Sequence, residues 1–310
     1  MGASASASRR GLANSLFKPD REYKILVLGC MGSGKSTLCR HLVRIARGIP
    51  PILPYYQHTL QNNVLELYKA IAELADRMGI GVELYEAMTG LQQLIASPLY
   101  NEILNRNRRP ELPPNHAFFV ANAERILRRD YMPTESDLLY MYAMTVGLDQ
   151  QTVRMHSAIF ELYELPGHHV FRRKWTSFLN YTTTVIFCVD LSELCMGAFY
   201  SGHLKDKTLS IFKDLLNNEL LRKSSFILLF NKKDLFDEWS PGYNFEQLAP
   251  QMRSGQEALS FYRNLFLHLS PVKKIYNHVV SLIKSTNLGG TVVDSLTTII
   301  RSNKENVQPL

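Results

Sequence analysis

An apolar run (Lys24–Leu28), a glycine-rich turn (Gly29–Thr37) and a helical pattern (Leu38–Val43) follow one another near the start of the chain. No other stretch constrains the fold as tightly. The turn reads Gly29-Cys30-Met31-Gly32-Ser33-Gly34-Lys35-Ser36-Thr37, which is the spacing G-x-x-x-x-G-K-[ST] between a buried strand and a helix. Glycines there let backbone N–H groups curl around phosphate oxygens, and the helix N-terminus adds a favourable dipole. Lys35 is placed to reach the β- and γ-phosphates, and the Ser36 hydroxyl to ligate Mg²⁺. Gly29, Gly32, Ser33, Gly34, Lys35, Ser36 and Thr37 are therefore the candidate phosphate-binding residues of a nucleoside triphosphate site.

Further apolar runs at Val185–Val189, Phe226–Phe230 and Val279–Ile283 read as strands buried on both faces, and Ala158–Tyr163 as a half-exposed strand beside them. Helical segments such as Leu204–Leu221, Ala258–Leu269 and Thr291–Arg301 separate or follow them. Strands alternating with helices predict an α/β fold with a mostly parallel sheet covered on both faces. From Gly48 to Glu135 the alternation stops. Val64, Leu67, Tyr68, Ile71, Leu74 and Met78 recur at helical spacing with Gly79 placed to end the helix, and Leu99–Leu104 and Ala117–Leu127 continue in kind between Pro110, Pro113 and Pro114. The predicted organisation is a tail at 1–22, a discontinuous sheet domain at 23–47 and 136–310, and an inserted all-helical domain at 48–135.

A net charge of +7 is spread along the chain rather than packed into a block, so alone it is weak evidence for nucleic acid, and an anionic inner membrane leaflet suits the same balance. No apolar run is long enough to span a bilayer. Cys30, Cys39, Cys188 and Cys195 lack metal-ligand spacing, and with no secretory signal the reading is reduced thiols in a cytoplasmic protein. The start Met1-Gly2-Ala3-Ser4-Ala5-Ser6 fits either N-myristoylation on Gly2 or an unstructured small-residue tail. One acyl chain holds a membrane only marginally, and Arg9, Arg10, Lys18 and Arg21 offer the electrostatic supplement.

With this layout, three segments resemble the α subunits of heterotrimeric G proteins. Phe226–Glu238, containing Asn231-Lys232-Lys233-Asp234, resembles the family's strand and guanine-specificity segment; Arg129–Leu139 resembles the approach to its first switch; Phe171–Trp175 resembles the end of its second. The resemblance covers most of the chain and implies a Ras-like P-loop GTPase domain with a six-stranded sheet and an inserted helical domain. It implies GTP/GDP and Mg²⁺ as ligands. Asp234 accepts hydrogen bonds from guanine N1–H and the exocyclic amine, Asn231 braces the loop, and Lys232 lays its stem along the base. A second base contact in the family comes from a threonine-cysteine-alanine-threonine loop. Val280–Ser285 stands there with the pattern lost, leaving backbone N–H groups such as that of Leu282.

The resemblance also assigns Thr145 and Glu164 to Mg²⁺, Glu164 through water, and Gly167 to sensing the γ-phosphate. The catalytic positions depart from the family. Tyr142 stands where the first switch carries arginine, and Glu164-Leu165-Pro166-Gly167-His168 replaces aspartate-x-glycine-glycine-glutamine. A tyrosine offers no positive charge to phosphoryl transfer. His168 stands in for the glutamine that orients the attacking water, and its donor and acceptor pattern depends on tautomer. Pro166 removes an N–H and stiffens the switch. Gly32 and Met31 occupy family glutamate and glycine positions.

The implied function is a receptor-coupled GTP/GDP switch at the cytoplasmic face of the plasma membrane, with slow intrinsic hydrolysis and an effector the sequence does not name. The implied partners are a G protein-coupled receptor, recognised through Asn303–Leu310, and a βγ dimer met through an N-terminal helix, for which only 23 residues precede Lys24. Two other readings stand beside it: a non-cycling scaffold that keeps the fold, and an ATP-using P-loop kinase, which Asn231–Asp234 disfavours.

Overall fold

The computed structural model describes residues 22–47, 54–77, 112–113, 115–143, 145, 147–155, 158–195, 207–247, 250, 252–270, 275–284 and 289–305. Gly2 and the tail basic residues, Met78 and Gly79, Leu99–Leu104, Pro110, Pro114, Ser285 and Asn306–Leu310 lie outside them.

Strand β1 (Glu22–Gly29) leads through the glycine-rich turn into α1 (Lys35–Arg47), followed by α2 (Pro54–Arg77), α3 (His116–Ile126) and α4 (Glu135–Tyr140). The chain then returns to the sheet with β2 (Asp149–Met155) and β3 (Ala158–Glu164), the short α5 (His169–Arg172), β4 (Thr184–Asp190), α6 (Lys207–Leu216), β5 (Ser225–Asn231), α7 (Lys233–Trp239), α8 (Gly255–Leu267), β6 (Ile275–Val279) and α9 (Asp294–Glu305). The strand order is β2-β3-β1-β4-β5-β6, parallel throughout except for β2, which runs antiparallel to β3.

Successive side chains of a strand point to opposite faces, and the sheet feeds two cores accordingly. Leu26, Leu28, Val185, Phe187, Phe226 and Leu228 face one core, covered by Phe212 of α6 and Tyr262 and Phe266 of α8. Ile25, Val27, Ile186, Cys188, Ile227 and Leu229 face the other, covered by Leu38 and Leu42 of α1 and Leu296 and Ile299 of α9. Both faces being covered is why β4 and β5 read as unbroken apolar runs. Because β1 lies between β3 and β4, the strand order reverses at its end, and the turn after β1 opens at that switch point, where doubly wound sheets bind ligands.

One sequence expectation is corrected, and one strand went unmarked. The last strand is Ile275–Val279 rather than Val279–Ile283. Val280 and Leu282 are apolar because they turn inward beneath the glycine-rich loop, and both join the core under α1. Asp149–Met155, which no apolar run marked, forms an edge strand with only Val153 and Met155 buried.

A third core belongs to the helices: Leu60, Val64, Leu67, Ile71 and Leu74 of α2 pack on Phe119, Ala123 and Ile126 of α3, with Leu138 and Met141 closing it. At its edge Asp137, fully buried, accepts from Arg125 Nη1 and Nη2 (2.9 and 2.6 Å), the Tyr131 hydroxyl (2.9 Å) and the Thr134 N–H (2.7 Å). Thr134 caps α4 in return, completing a capping box. Burial alone would raise the Asp137 carboxyl, but these hydrogen bonds outweigh it and hold its pKa below the ordinary value. A carboxyl depressed in the fold stabilises above its unfolded pKa, near 3.9, and that contribution is lost as pH falls through the folded value. Asp137→Ala is expected to cost about 2–3 kcal/mol by denaturant unfolding at pH 7, since it strands buried donors. The cost should shrink as pH falls below 4.

Candidate functional site

Three segments converge on one cleft, lined by Gly32, Gly34, Lys35, Ser36 and Thr37 from the glycine-rich turn, Tyr142 and Thr145 from the segment after α4, and Gly167 and His168 after β3. Gly29, Gly32 and Gly34 all have positive φ (144°, 77° and 99°). A Cβ on Gly34 would stand 2.2 Å from Asn231 Nδ2, so only glycine fits there. Lys35 is buried, with Nζ donating to Cys30 O at 2.8 Å, and Ser33 Oγ donates to the same carbonyl at 2.9 Å. Burial pushes the Lys35 ammonium below its ordinary pKa, with the Glu164 carboxylate acting the other way. A buried ammonium resting on one carbonyl is a place for an anion.

Beside it lies an oxygen cluster. Ser36 Oγ donates to Glu164 Oε1 at 2.5 Å, Thr145 Oγ1 donates to the same oxygen at 3.0 Å, and the two hydroxyls stand 3.3 Å apart. These residues are 109 and 128 positions from Ser36 along the chain. One carboxylate with two hydroxyls is a hard-oxygen set of the kind that holds Mg²⁺ together with phosphate oxygens. The residues present therefore fit that ion. Among the described residues no cluster of three or more His, Cys, Asp or Glu side chains offers a self-sufficient metal cage.

Gly167 packs against the turn so closely that a Cβ would lie 2.6 Å from Gly29 O and from Lys35 Nζ. Trp175 Nε1 donates to Pro166 O at 3.0 Å, so the segment after α5 holds the turn that follows β3. His168 caps α5, its Nδ1 accepting from Val170 N at 3.4 Å, which leaves the neutral ring's proton on Nε2. Tyr142 is half exposed, and Asn63 of α2 grips its backbone twice, donating to Tyr142 O at 2.7 Å and accepting from Tyr142 N at 2.8 Å. Arg40 Nη1 donates to Leu138 O at 3.0 Å and Met141 O at 3.5 Å. Neither Asn63 nor Arg40 carried a sequence signal, because each acts on backbone about 80–100 residues away.

At the other end, Asn231 bridges two loops: Nδ2 donates to Ser33 O at 3.0 Å and Oδ1 accepts from Leu282 N at 3.1 Å. The Leu282 N–H, expected to be left for the base, is therefore taken up by Asn231, whose amide is aimed at it from β5. The Leu282 carbonyl meets buried His41 Nε2 at 2.6 Å. Asp234 Oδ1 is buried without a hydrogen-bond partner. An unsatisfied buried carboxylate oxygen is costly, and a ligand N–H is the group that would satisfy it.

A sequence profile described as "G-protein alpha subunit" matches residues 57–300, well over half of the chain. The chain belongs to the G-protein alpha subunit family. Its curated relatives include guanine nucleotide-binding protein G(o) subunit alpha of Lymnaea stagnalis and of Planorbella trivolvis, each 25% identical over 96% of this chain and 94% of the relative. Family membership accounts for the Ras-like sheet and the helical third core. All four cysteines, Cys30, Cys39, Cys188 and Cys195, are free, and no described helix is long and apolar enough to cross a membrane.

Proposed function

We propose that this G-protein alpha family member is a guanine-nucleotide switch in receptor-coupled signalling that holds GTP firmly and hydrolyses it slowly. The unpartnered Asp234 Oδ1 carries the reading: guanine presents N1–H and an exocyclic amine to such an acceptor, whereas adenine presents neither in that arrangement. Gly29, Gly32, Ser33, Gly34, Lys35, Ser36 and Thr37 would hold the phosphates, and Ser36, Thr145 and Glu164 the Mg²⁺ ion. Bound there, Mg²⁺ supplies neutralisation of charge on the β- and γ-phosphate oxygens. Gly167 N–H is the group that senses the γ-phosphate in this reading.

Two residues that line the cleft support the reading of slow hydrolysis. Tyr142 brings no cation, Arg40, which also lines the cleft, has its Nη1 given to Leu138 O and Met141 O, and His168, with Nδ1 engaged by Val170 N, leaves the neutral ring no acceptor for an attacking water. A receptor and a βγ dimer are the partner classes the family supports. Acylated Gly2 with a basic tail would place the chain at the inner membrane leaflet. Mass analysis of nucleotide released by denaturing purified protein, prepared with Mg²⁺ or with chelator, tests the ligand. Near-stoichiometric GDP or GTP in the Mg²⁺ sample is expected. Adenine nucleotide would revive the kinase reading, and no nucleotide in either sample would favour the scaffold.

A further inference from the structure

One buried carboxylate at the edge of this site has no part in the roles assigned above. Asp190 ends β4, directly opposite Asn231 in the parallel register of β4 and β5. It is 5% exposed, and each of its oxygens is engaged. Oδ1 accepts from Ser192 N (2.9 Å) and Ser192 Oγ (2.5 Å), which fixes the carboxylate on the turn Leu191–Leu194. Oδ2 accepts from Lys232 Nζ at 2.5 Å, with the Lys232 side chain itself only 18% exposed.

Lys232 sits at a left-handed bend, φ 64° and ψ 36°, where β5 turns into α7. That conformation disfavours a residue with a Cβ, and the next residue is held by Lys233 N donating to Val280 O at 3.1 Å. A buried ion pair adds little net stability over an apolar pair of equal volume. What it does supply is a fixed position. The ammonium is tethered to one point on β4, so the four-carbon stem must cross from the bend at Lys232 to that point.

We propose that Asp190 is a positioning residue for nucleotide binding, tethering Lys232 so that its stem forms a preset platform for the base while Asp234 reads the base edge. This rests on the guanine-nucleotide reading and deepens it. The platform makes up for a base loop whose Leu282 N–H is already spent on Asn231.

Asp190→Asn keeps the volume and the Ser192 contact but turns an amide toward the ammonium, releasing the stem. GDP and GTP are expected to bind roughly 10- to 100-fold more weakly. Competition by inorganic triphosphate, which touches only the phosphate loop, is expected to stay within two-fold of native, an outcome a loosened fold would not give. In a double-mutant cycle with Lys232→Met, Asp190→Asn is expected to add no further loss. An unchanged GDP Kd, or a loss as large in the Lys232→Met background as in the native one, would overturn the inference. Should Asp190→Asn fail to fold, Lys232→Arg and Lys232→Met carry the test. Arginine still pairs with Asp190 and should bind GDP at least five-fold tighter than the methionine variant; equal affinities would overturn it. Absence of GDP and GTP binding by the native chain would instead overturn the guanine reading itself.

Discussion

Replacing Tyr142 by arginine and His168 by glutamine together is expected to raise single-turnover GTP hydrolysis by about 10³- to 10⁵-fold. Phosphoryl transfer spreads negative charge over the equatorial oxygens, and a positioned guanidinium there lowers the barrier by about 4–7 kcal/mol, at 1.36 kcal/mol per decade. Tyr142 is the right place to put it. Its backbone is clamped on both sides by Asn63, and the residue lines the cleft shared with Lys35 and Thr145. The arginine should account for most of the gain. Tyr142→Lys should give much less, because an ammonium lacks the planar fork. His168→Gln alone should give a smaller rise, since it restores an acceptor for water but sacrifices the cap on α5. Phosphate release from preloaded protein is the measurement. No rise in any variant would mean that residue 142 does not face the γ-phosphate.

Asp234→Asn should exchange guanine for xanthine. In the proposed guanine reading the native carboxylate accepts from two base donors, whereas asparagine offers a single acceptor oxygen and presents an N–H to the exocyclic amine. GDP affinity is expected to fall by about 100-fold or more, the cost of leaving charged-acceptor hydrogen bonds unmade. Xanthine carries a carbonyl where guanine has the amine, so XDP should bind the variant better than GDP does. Competition between GDP and XDP measures this. The fold should be indifferent, because Asp234 Oδ1 makes no hydrogen bond within the protein. A variant that still preferred GDP would place the base elsewhere.

The parts of this fold that are buried on both sides were legible in the sequence. β1, β4 and β5 carry unbroken apolar runs because two cores consume alternate residues of each. The edges were not. β2, Asp-Gln-Gln-Thr-Val-Arg-Met, buries only Val153 and Met155, so its pattern looks like polar loop. β6 includes Asn277 and His278, whose polar side chains are satisfied by Arg263 and Ser295, while the apolar run just after it belongs to a loop folded inward. Periodicity reports burial and not hydrogen bonding, so it misplaced that strand by one segment.

The site divides in the same way. Ser36, Thr145 and Glu164 lie far apart in the chain; the glycine-rich motif marked Ser36, the family resemblance alone marked Thr145 and Glu164, and the structure brings the three side chains together at Glu164 Oε1. Asp190, Asn63 and Arg40 belong to no motif. They act by reaching across to another segment's backbone or ammonium, and only the folded chain brings those partners within bonding distance.

Single-turnover phosphate release from native protein loaded with γ-labelled GTP and Mg²⁺ is the most direct test of a chain that grips GTP without efficient chemistry. Stoichiometric GTP should be retained, with release about 10³-fold or more below the roughly 10⁻² s⁻¹ of alpha subunits that carry the arginine in cis. Release at about 10⁻² s⁻¹ from the native chain alone would contradict it, because neither Tyr142 nor His168 could then be the deficit assigned to them.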